Sequence, residues 1–157
     1  MEIKIRKAKL DDVPNIQKIY YRLLKYEDQN FSKIIDPRWI KSEAGKRSLF
    51  KRIKDPKQHV VLAVDEDKPV GFLIGEYYKA TAYKRIKLDS EVLSLFVEEK
   101  YRNNKIGPML LDEFERWARV KKCDQIKLEP YYNNEKAIKF YKREGYKDYV
   151  VMLKKKL

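Results

Sequence analysis

The sequence predicts a single mixed α/β domain in which a mostly antiparallel sheet carries helices on both faces. Stretches typical of strands alternate with stretches of apolar residues at helical spacing, in the order βααβββαβαβ. The strand, helix and strand between residues 92 and 129 form a βαβ unit, which requires one parallel pair. The 157 residues are 43% apolar and contain no repeat or linker, so we expect one core and one domain over residues 1–157.

The first third of the chain predicts one strand followed by two helices. The alternation of isoleucine and lysine over residues 3–5 indicates a strand, and Asp11 is placed to cap the helix that follows. That helix should end near Asp28. A loop or short helix over residues 29–40 and a weaker helix over residues 43–53 complete this part. The apolar positions of the first helix recur at helical spacing: Val13, Ile16, Tyr20, Leu23 and Leu24.

The middle of the chain predicts three strands. His59 to Val64 and Val70 to Tyr78 are apolar runs joined by the turn at residues 65–69, which indicates an antiparallel hairpin. A further strand is expected from Leu88 to Val97. His59 opens its strand away from every motif described below, so we expect a structural role for it.

A basic turn that contains glycine, Tyr101–Leu111, is the most informative stretch. It connects the strand that ends at Val97 to a helix that continues to about Lys121. Such a turn directs several backbone N–H groups, and the positive end of the helix dipole, at one point, which is how proteins hold phosphates. The sequence therefore predicts a phosphorylated cofactor here. The apolar face of the helix is formed by Leu110, Phe114, Trp117 and Ala118.

The last third predicts a strand, a helix and a final strand. The strand covers residues 125–129, and Asn133 or Asn134 can cap the helix that follows. Gly145 marks the end of that helix, and a last strand is expected near Tyr149–Leu153.

Composition limits the partners and the compartment. Thirty-seven lysines and arginines against 24 acidic residues give a net charge of +13, but they are spread along the whole chain, which favours a solvated surface over a nucleic-acid groove. The single cysteine, Cys123, excludes an intramolecular disulfide and suits a reducing compartment. No signal peptide or bilayer-length apolar run is present, so a cytoplasmic protein without a membrane partner is expected.

Two motifs in the second half of the chain resemble those of a known family. Residues 95–107 follow an Arg/Gln-x-x-Gly-x-Gly/Ala loop, and residues 134–146 follow an Asn-x-x-Ala-x-x-x-Tyr-x-x-x-Gly-Phe/Tyr helix. Together, in this order and spacing, they resemble the GNAT superfamily of acyl-coenzyme A N-acyltransferases. With the order of elements, the resemblance covers nearly the whole chain, although residues 29–53 match in position rather than in sequence.

The resemblance implies acetyl-coenzyme A (acetyl-CoA) as co-substrate, held between splayed central strands. Its pyrophosphate would lie on the turn, and its pantetheine arm would pair with the strand like an extra strand. Lys105 stands where the family has its first loop glycine, and Pro108 removes one N–H, while Lys105 adds a cation. The implied cofactor-binding residues are Leu95, Phe96, Val97, Arg102, Asn103, Asn104, Lys105, Ile106, Gly107, Pro108, Met109, Asn134 and Tyr141.

The family chemistry is the attack of an amine on a thioester. By position, Tyr141 is implied as the acid that protonates the departing sulfur, and an N–H near Val97 would stabilise the oxyanion. Glu91 and Glu129 are alternative bases for the amine, each able to act through a water. No metal-binding residues are predicted.

The resemblance thus implies an N-acetyltransferase that acts on a primary amine by direct attack in a ternary complex. The acceptor could be a small cationic amine or the amino group of a peptide or protein, and a homodimer is possible. An acidic and aromatic wall would suit a cation, although its aromatic residues are equally good core residues. The alternative is a coenzyme A-binding or nucleic-acid-binding module on the same fold with weakened catalysis. The wall comprises Tyr20, Tyr21, Tyr26, Glu27, Asp28, Phe31, Asp36 and Trp39.

Overall fold

A five-stranded sheet in the order β1-β2-β3-β4-β5 forms the centre of the computed structural model, which describes residues 1–157. Neighbouring strands from β1 to β4 are antiparallel, and only β4 and β5 are parallel. The predicted mixed, mostly antiparallel sheet is therefore confirmed. The strands are β1 Ile3–Lys7, β2 Gln58–Asp65, β3 Lys68–Lys79, β4 Leu88–Val97 and β5 Gln125–Leu128.

Helices cover both faces of this sheet. The four α-helices are α1 Val13–Asn30, α2 Glu43–Lys54, α3 Ile106–Val120 and α4 Glu135–Arg143, with short 3-10 turns at residues 10–12, 37–41 and 99–101. Alternate residues of β2 point to opposite faces: Val60 and Leu62 pack with α1 and α2, whereas Val61 and Ala63 pack with α3. None of the helices has the length and apolar character that crossing a bilayer requires.

The helix caps were predicted in part. Ser42 and Asn134 cap α2 and α4 through hydrogen bonds from the backbone N–H groups of Gly45 and Ala137, each 3.2 Å long. Asn134 rather than Asn133 therefore caps α4. The predicted Asp11 cap of α1 is wrong, because a 3-10 turn extends to Asp12 before the helix begins.

The side chain of Asp12 forms an ion pair and does not cap α1. Its carboxylate accepts two hydrogen bonds of 2.8 Å from the guanidinium of Arg6 in β1, and one of 2.7 Å from the N–H of Lys9. The bonds from Arg6 are the largest cause that holds the pKa of Asp12 below its usual value. This ion pair therefore joins the first strand to the start of α1.

The predicted last strand near Tyr149–Leu153 is wrong for the single chain. Residues 147–157 have no regular secondary structure, and every side chain from Tyr149 to Leu153 is at least 73% exposed. Gly145 ends α4 in the left-handed conformation, with φ of 92°. A strand needs a partner for its backbone groups, and this segment has none within its own chain.

The divergence of β4 from β5 positions the functional site. β4 pairs with β5 only from Asp89 to Val92, and the residues of β4 beyond Val92 have no strand neighbour on that side. At the same point β4 carries a bulge: Val92 lies opposite Gly75 and Ser94 opposite Ile74, so Leu93 is an extra residue. The expected splaying of the central strands is thereby confirmed, and a cleft opens beyond Val92.

Candidate active site

The central cleft, a cavity of about 900 Å³, lies where β4 and β5 separate. Six parts of the chain line it: the end of α1, the second half of β4, the turn before α3, the start of α3, the loop after β5, and α4. The motifs that stood about thirty residues apart in the sequence therefore meet in one cavity.

The basic turn forms one end of the central cleft. Asn103 and Lys105 both adopt left-handed backbone conformations, with φ of 64° and 59°. The side-chain amide of Asn104 donates to the carbonyls of Tyr101 and Arg102, each at 3.1 Å, and so braces the turn. No side chain caps the start of α3, so the backbone N–H groups of Ile106 and Gly107 are available to an anion. Pro108 has no N–H group, and that of Met109 donates to the carbonyl of Lys105.

Most of the residues implied for cofactor binding lie on this cavity. Asn104 and Met109 do not line it: Asn104 supports the turn from behind, and Met109 lies further along α3. The predicted residues that do line the cleft are Leu95, Phe96, Val97, Arg102, Asn103, Lys105, Ile106, Gly107, Pro108, Asn134 and Tyr141.

Gly107 allows α4 to approach the start of α3. A Cβ atom at Gly107 would lie 3.0 Å from the ring of Phe140 in α4, closer than nearly all real contacts of this kind. The absence of a side chain thus brings α4 against the turn. Because α4 also carries Asn134 and Tyr141, this contact sets the position of both side chains relative to the turn.

The free side of β4 forms the floor of the central cleft. Beyond Val92, alternate N–H and C=O groups of β4 bond to β3, and the others face the cavity without a strand partner. The guanidinium of Arg102 donates to the carbonyl of Val97 at 3.0 Å, which ties the strand end to the turn. Backbone donors and acceptors therefore run along the cleft toward the turn.

Tyr141 lies on the cleft wall with its phenol protonated. Burial raises the pKa of Tyr141 to about 12, and the charge of Glu27 adds to the shift. Its ring packs against Phe140 and Tyr146, with centroid distances of 5.1 and 5.9 Å. At neutral pH the hydroxyl of this side chain can therefore donate a hydrogen bond.

Glu27 is a cleft carboxylate that sequence reasoning placed in the acceptor wall but did not weigh as a base. Burial raises its pKa above the usual value for glutamate, and its charge in turn raises the pKa values of Tyr131 and Tyr141. Tyr131 stacks on Phe31, with ring centroids 5.4 Å apart, which joins the loop after β5 to the end of α1. The sequence did contain a signal, because Glu27 follows Leu23 by four residues on the apolar face of the helix.

The two carboxylates predicted as alternative bases have different positions. Glu129 lies on the exposed rim of the central cleft. Glu91 does not line it: this residue lies in the paired part of β4, opposite Lys127, and accepts a hydrogen bond of 3.4 Å from Tyr78. Burial is the largest cause that raises the pKa of Glu91, and Lys127 opposes it. The structure therefore brings Tyr141 together with Glu27 and Glu129 rather than with Glu91.

The residues of the predicted acceptor wall do not lie together. Some line the central cleft, and the others belong to the core or to other parts of the surface. Tyr26 and Glu27 line the central cleft. Tyr20 packs on Phe72 at 5.0 Å between centroids and hydrogen-bonds Ser94 at 2.9 Å, so it is a core residue with a polar end. The others lie elsewhere: Tyr21, Asp28 and Asp36 line a separate surface pocket, Phe31 supports Tyr131, and Trp39 is half exposed.

His59 lies away from the central cleft, on the face of the sheet covered by α3. Its ring stacks on Trp117 at 4.9 Å, and its Nε2 lies 3.3 Å from the carboxylate of Glu113. Burial lowers the pKa of His59, so the ring is neutral at neutral pH. These contacts place the only histidine of the chain in the packing of α3.

The comparisons with known proteins agree with this geometry. The model of a family described as the acetyltransferase (GNAT) family matches residues 20–146. The chain belongs to the GNAT acetyltransferases. The match includes both motifs from which the resemblance was stated, so the family assignment is confirmed.

Relatives of this GNAT acetyltransferase are similar over most of their length. A spermidine N(1)-acetyltransferase of Thermoplasma acidophilum is 24% identical, over 94% of this chain and 89% of the relative. The structure of the PaiA N-acetyltransferase from Thermoplasma acidophilum in complex with coenzyme A has a TM-score of 0.78 and 23% identity, over 94% of this chain and 91% of that one. The BH1408 protein of Bacillus halodurans has a TM-score of 0.86 at 17% identity, over 98% and 99% of the two chains.

Proposed function

We propose that this chain is an N-acetyltransferase that moves the acetyl group of acetyl-CoA to the primary amine of a small cationic acceptor. The observation that carries the proposal is one continuous cleft that is lined both by the basic turn, with its free backbone N–H groups, and by Glu27 and Tyr141. Two comparisons with Thermoplasma acidophilum support it, since a relative there is named a spermidine N(1)-acetyltransferase and the PaiA N-acetyltransferase structure is a complex with coenzyme A.

The chain's own residues fit the co-substrate. The first turn of α3 and the cations Arg102 and Lys105 would hold the pyrophosphate, because backbone N–H groups and positive charge both favour an anion. Asn134 uses its side-chain oxygen to cap α4, which leaves its NH₂ group as a donor for the pantetheine arm. The unpaired edge of β4 would accept that arm as an added strand.

An ammonium ion would bind at the other end, beside Glu27. Tyr26 and Tyr131 offer aromatic surface around this carboxylate, and aromatic faces with a nearby negative charge stabilise a cation. Because burial raises the pKa of Glu27, it is a stronger base than an exposed glutamate. Glu129 at the rim would add a second negative charge for an acceptor with more than one amine.

In the reaction, Glu27 takes one proton from the ammonium, and the free amine attacks the thioester carbonyl. A backbone N–H near Val97 stabilises the oxyanion while the carbon–nitrogen bond forms. The carbon–sulfur bond then breaks, and Tyr141 donates to the departing sulfur. This leaves Tyr141 as a phenolate, which takes up the second proton that the nitrogen loses as the amide forms. The proton held by Glu27 is released to solvent.

The test is thioester consumption with a panel of acceptors. We expect turnover with acetyl-CoA and a polyamine such as spermidine, less with an amino sugar, and least with an uncharged amine. Binding of coenzyme A without turnover on any amine would contradict the proposed activity and favour the weakened cofactor-binding module. A failure of acetyl-CoA to bind in calorimetry would contradict both.

A further inference from the structure

The fold gathers lysines that are dispersed in the sequence. Strands β2, β4 and β5 begin, and β1 and β3 end, at one edge of the sheet. Lysines from four separate stretches of the chain lie along this edge, which we name the basic edge. They are Lys7, Lys57, Lys79, Lys87, Lys121 and Lys122. None of the six forms an ion pair, so their charges stay available to a ligand.

Backbone hydrogen bonds hold these stretches next to one another. The N–H of Tyr77 donates to the carbonyl of Lys57 at 3.0 Å, and the N–H of Asp124 donates to the carbonyl of Leu88 at 2.9 Å. The carboxylate of Asp124 accepts bonds of 2.8 and 2.9 Å from the N–H groups of Lys87 and Leu88. The loop between β3 and β4 is thereby joined to the turn before β5, and the lysines of both lie on one surface.

His59 lies beneath the basic edge and senses its charge. Burial is the largest cause that lowers the pKa of His59, and the charges of Lys7 and Lys121 add to it, whereas Glu113 opposes it. Lys121 also lies 5.9 Å from the ring centroid of Tyr77. Two lysines that are far apart in the chain therefore act on one point, and an uncompensated positive potential of this kind attracts anions.

An exposed tyrosine lies within the basic edge. Tyr83 is in the loop between Lys79 and Lys87 and is 86% exposed. Its neighbour Lys84 lies 3.5 Å from the carboxylate of the buried Asp89, which ties the loop to β4. Exposed aromatic rings among cations are how proteins bind single-stranded nucleic acid, because the cations contact phosphates and each ring stacks on a base.

We propose that the basic edge binds single-stranded nucleic acid, with Tyr83 stacked on one base. The edge crosses all five strands, a width of about 19 Å, so one strand of nucleic acid can contact several lysines. None of the six lysines lines the central cleft, and the ten residues of β4, about 30 Å, separate Lys87 from the end of β4 that leads to the basic turn before α3. Binding here is independent of the proposed acetyl transfer and leaves the cleft open.

The first test is the fluorescence anisotropy of labelled poly(U) and poly(dT) over a range of salt concentrations. Both should bind, because phosphates and base faces are common to RNA and DNA. The logarithm of the affinity should fall linearly with the logarithm of the salt concentration, by about 0.7 for each lysine that contacts a phosphate. A triple variant with Lys79→Gln, Lys87→Gln and Lys122→Gln should make this slope shallower by about 2 and weaken binding about tenfold or more at low salt.

The matched control removes the same charge from other parts of the surface. Lys25, Lys33 and Lys68 are exposed and lie away from the basic edge, after the middle of α1 or at the start of β3. Their replacement by glutamine should leave the slope and the affinity close to those of the intact chain. Equal losses in the two triple variants would mean that net charge alone attracts the nucleic acid, and the proposal would be wrong.

The contribution of stacking is tested by Tyr83→Ala, which should weaken binding at least about fivefold. Tyr132→Ala is the control, because Tyr132 is equally exposed, at 90%, but lies in the loop after β5 at the other edge of the sheet. It should bind poly(U) as the intact chain does. Equal affinities of the Tyr83→Ala variant and the intact chain would contradict the stacking.

The single histidine reports where the nucleic acid lies. The pKa of His59, followed by proton NMR, should rise when poly(U) binds, because the phosphates neutralise Lys7 and Lys121. Saturating coenzyme A should leave poly(U) bound, since the cleft is a separate site. Displacement of poly(U) by coenzyme A, an unchanged titration of His59, or binding to phosphatidylserine vesicles without binding to poly(U) overturns the proposal.

Discussion

At the scale of single residues, removal of the hydroxyl of Tyr141 distinguishes a role in the reaction from a role in packing. Tyr141→Phe should lower kcat by about 10²–10⁴-fold where thiolate departure limits the rate, because it removes only the proton donor. Its affinity for coenzyme A and its melting temperature should stay close to those of the intact enzyme, since the ring is kept. Steady-state kinetics, calorimetry and thermal unfolding measure the three quantities.

Tyr146→Phe is the matched control for Tyr141→Phe. Tyr146 contacts Tyr141, does not line the central cleft, and has a buried hydroxyl without a hydrogen-bond partner. Its removal should leave turnover unchanged and should not destabilise the fold. Equal losses of rate in both variants would mean that the hydroxyl of Tyr141 serves packing.

The carboxylates of Glu27, Glu91 and Glu129 can be ranked by their glutamine variants. Glu27→Gln should lower kcat/KM most, and the loss should be largest above the raised pKa of Glu27, where the carboxylate of the intact enzyme is ionised and the amine is still protonated. In the intact enzyme, kcat/KM should fall as pH falls through the raised pKa of Glu27, because the protonated carboxyl cannot accept a proton. Turnover across pH is the measurement.

Glu91→Gln is the control here, because Glu91 lies outside the cleft beside Lys127. Its activity should match that of the intact enzyme across pH. Glu129→Gln should raise KM for an acceptor with several charges more than it lowers kcat. If Glu27→Gln retains the full rate at every pH, Glu27 is not the base.

Replacement of Lys105 should change the stability of the fold and the affinity for the cofactor in opposite directions. The left-handed backbone at Lys105 costs a residue with a side chain about 1–2 kcal/mol, and replacement by glycine removes this cost. Glycine has greater freedom in the unfolded chain, which offsets part of that gain. Lys105→Gly should therefore raise the free energy of unfolding by about 0.5–1 kcal/mol. It should also weaken coenzyme A several-fold, because a cation beside the pyrophosphate is lost. Urea unfolding and calorimetry give the two values.

Lys122→Gly provides the comparison for Lys105→Gly. Lys122 is also left-handed, with φ of 61°, but lies after the far end of α3 and outside the cleft. It should gain similar stability without any change in cofactor affinity. Weaker binding in both variants would point to net charge rather than to the position of Lys105.

At the scale of elements, the contact between α3 and α4 holds the two motifs together. Gly107→Val should displace α4, because even a Cβ atom there would lie 3.0 Å from Phe140. Overpacking of this kind costs about 1–3 kcal/mol of stability. Coenzyme A affinity should fall as well, since Asn134 and the turn would no longer face each other. Thermal unfolding and calorimetry measure both effects.

A second substitution tests whether crowding against Phe140 causes the losses in Gly107→Val. Phe140→Leu makes room beside residue 107, so the double variant should recover part of the stability and of the affinity lost in Gly107→Val. If the losses simply add, the two residues are not coupled, and Gly107 acts on the cofactor alone.

At the scale of the whole molecule, stability should depend on pH through one histidine. Burial lowers the pKa of His59 below 6.5, while Glu113 opposes the shift and Lys7 and Lys121 add to it. As pH falls below 6.5, the unfolded chain takes up a proton that the folded chain resists, so the free energy of unfolding should fall. Each tenfold difference in proton affinity corresponds to about 1.4 kcal/mol.

Chemical unfolding at a series of pH values around 6.5 measures this dependence in the intact chain and in His59→Phe. The phenylalanine ring can still stack on Trp117 but cannot titrate, so the variant's profile should be flatter. Because the chain has a single histidine, the difference between the two profiles reports the titration of His59 alone. An equal slope in the two proteins would assign the effect to other groups.

Local patterns in the sequence determined most of the fold. β2 and β4 were predicted within one residue of their observed bounds, and Asn134 was among the predicted caps, because strand and helix periodicity and capping are properties of neighbouring residues. The basic turn before α3 could be predicted for the same reason, since a strand, a basic turn and a helix are contiguous in the chain. Both family motifs are also contiguous segments, and this is why the family could be identified before the structure.

Only the tertiary structure decided which carboxylate faces Tyr141. Glu27 and Tyr141 are far apart in sequence, and their meeting depends on how far β5 separates from β4 and on the approach of α4 across Gly107. The same holds for the ion pair between Asp12 and Arg6, which the sequence did not predict, and for residues 149–153. Their strand character is local, but a strand forms only where a second backbone supplies its hydrogen bonds, and the single chain supplies none.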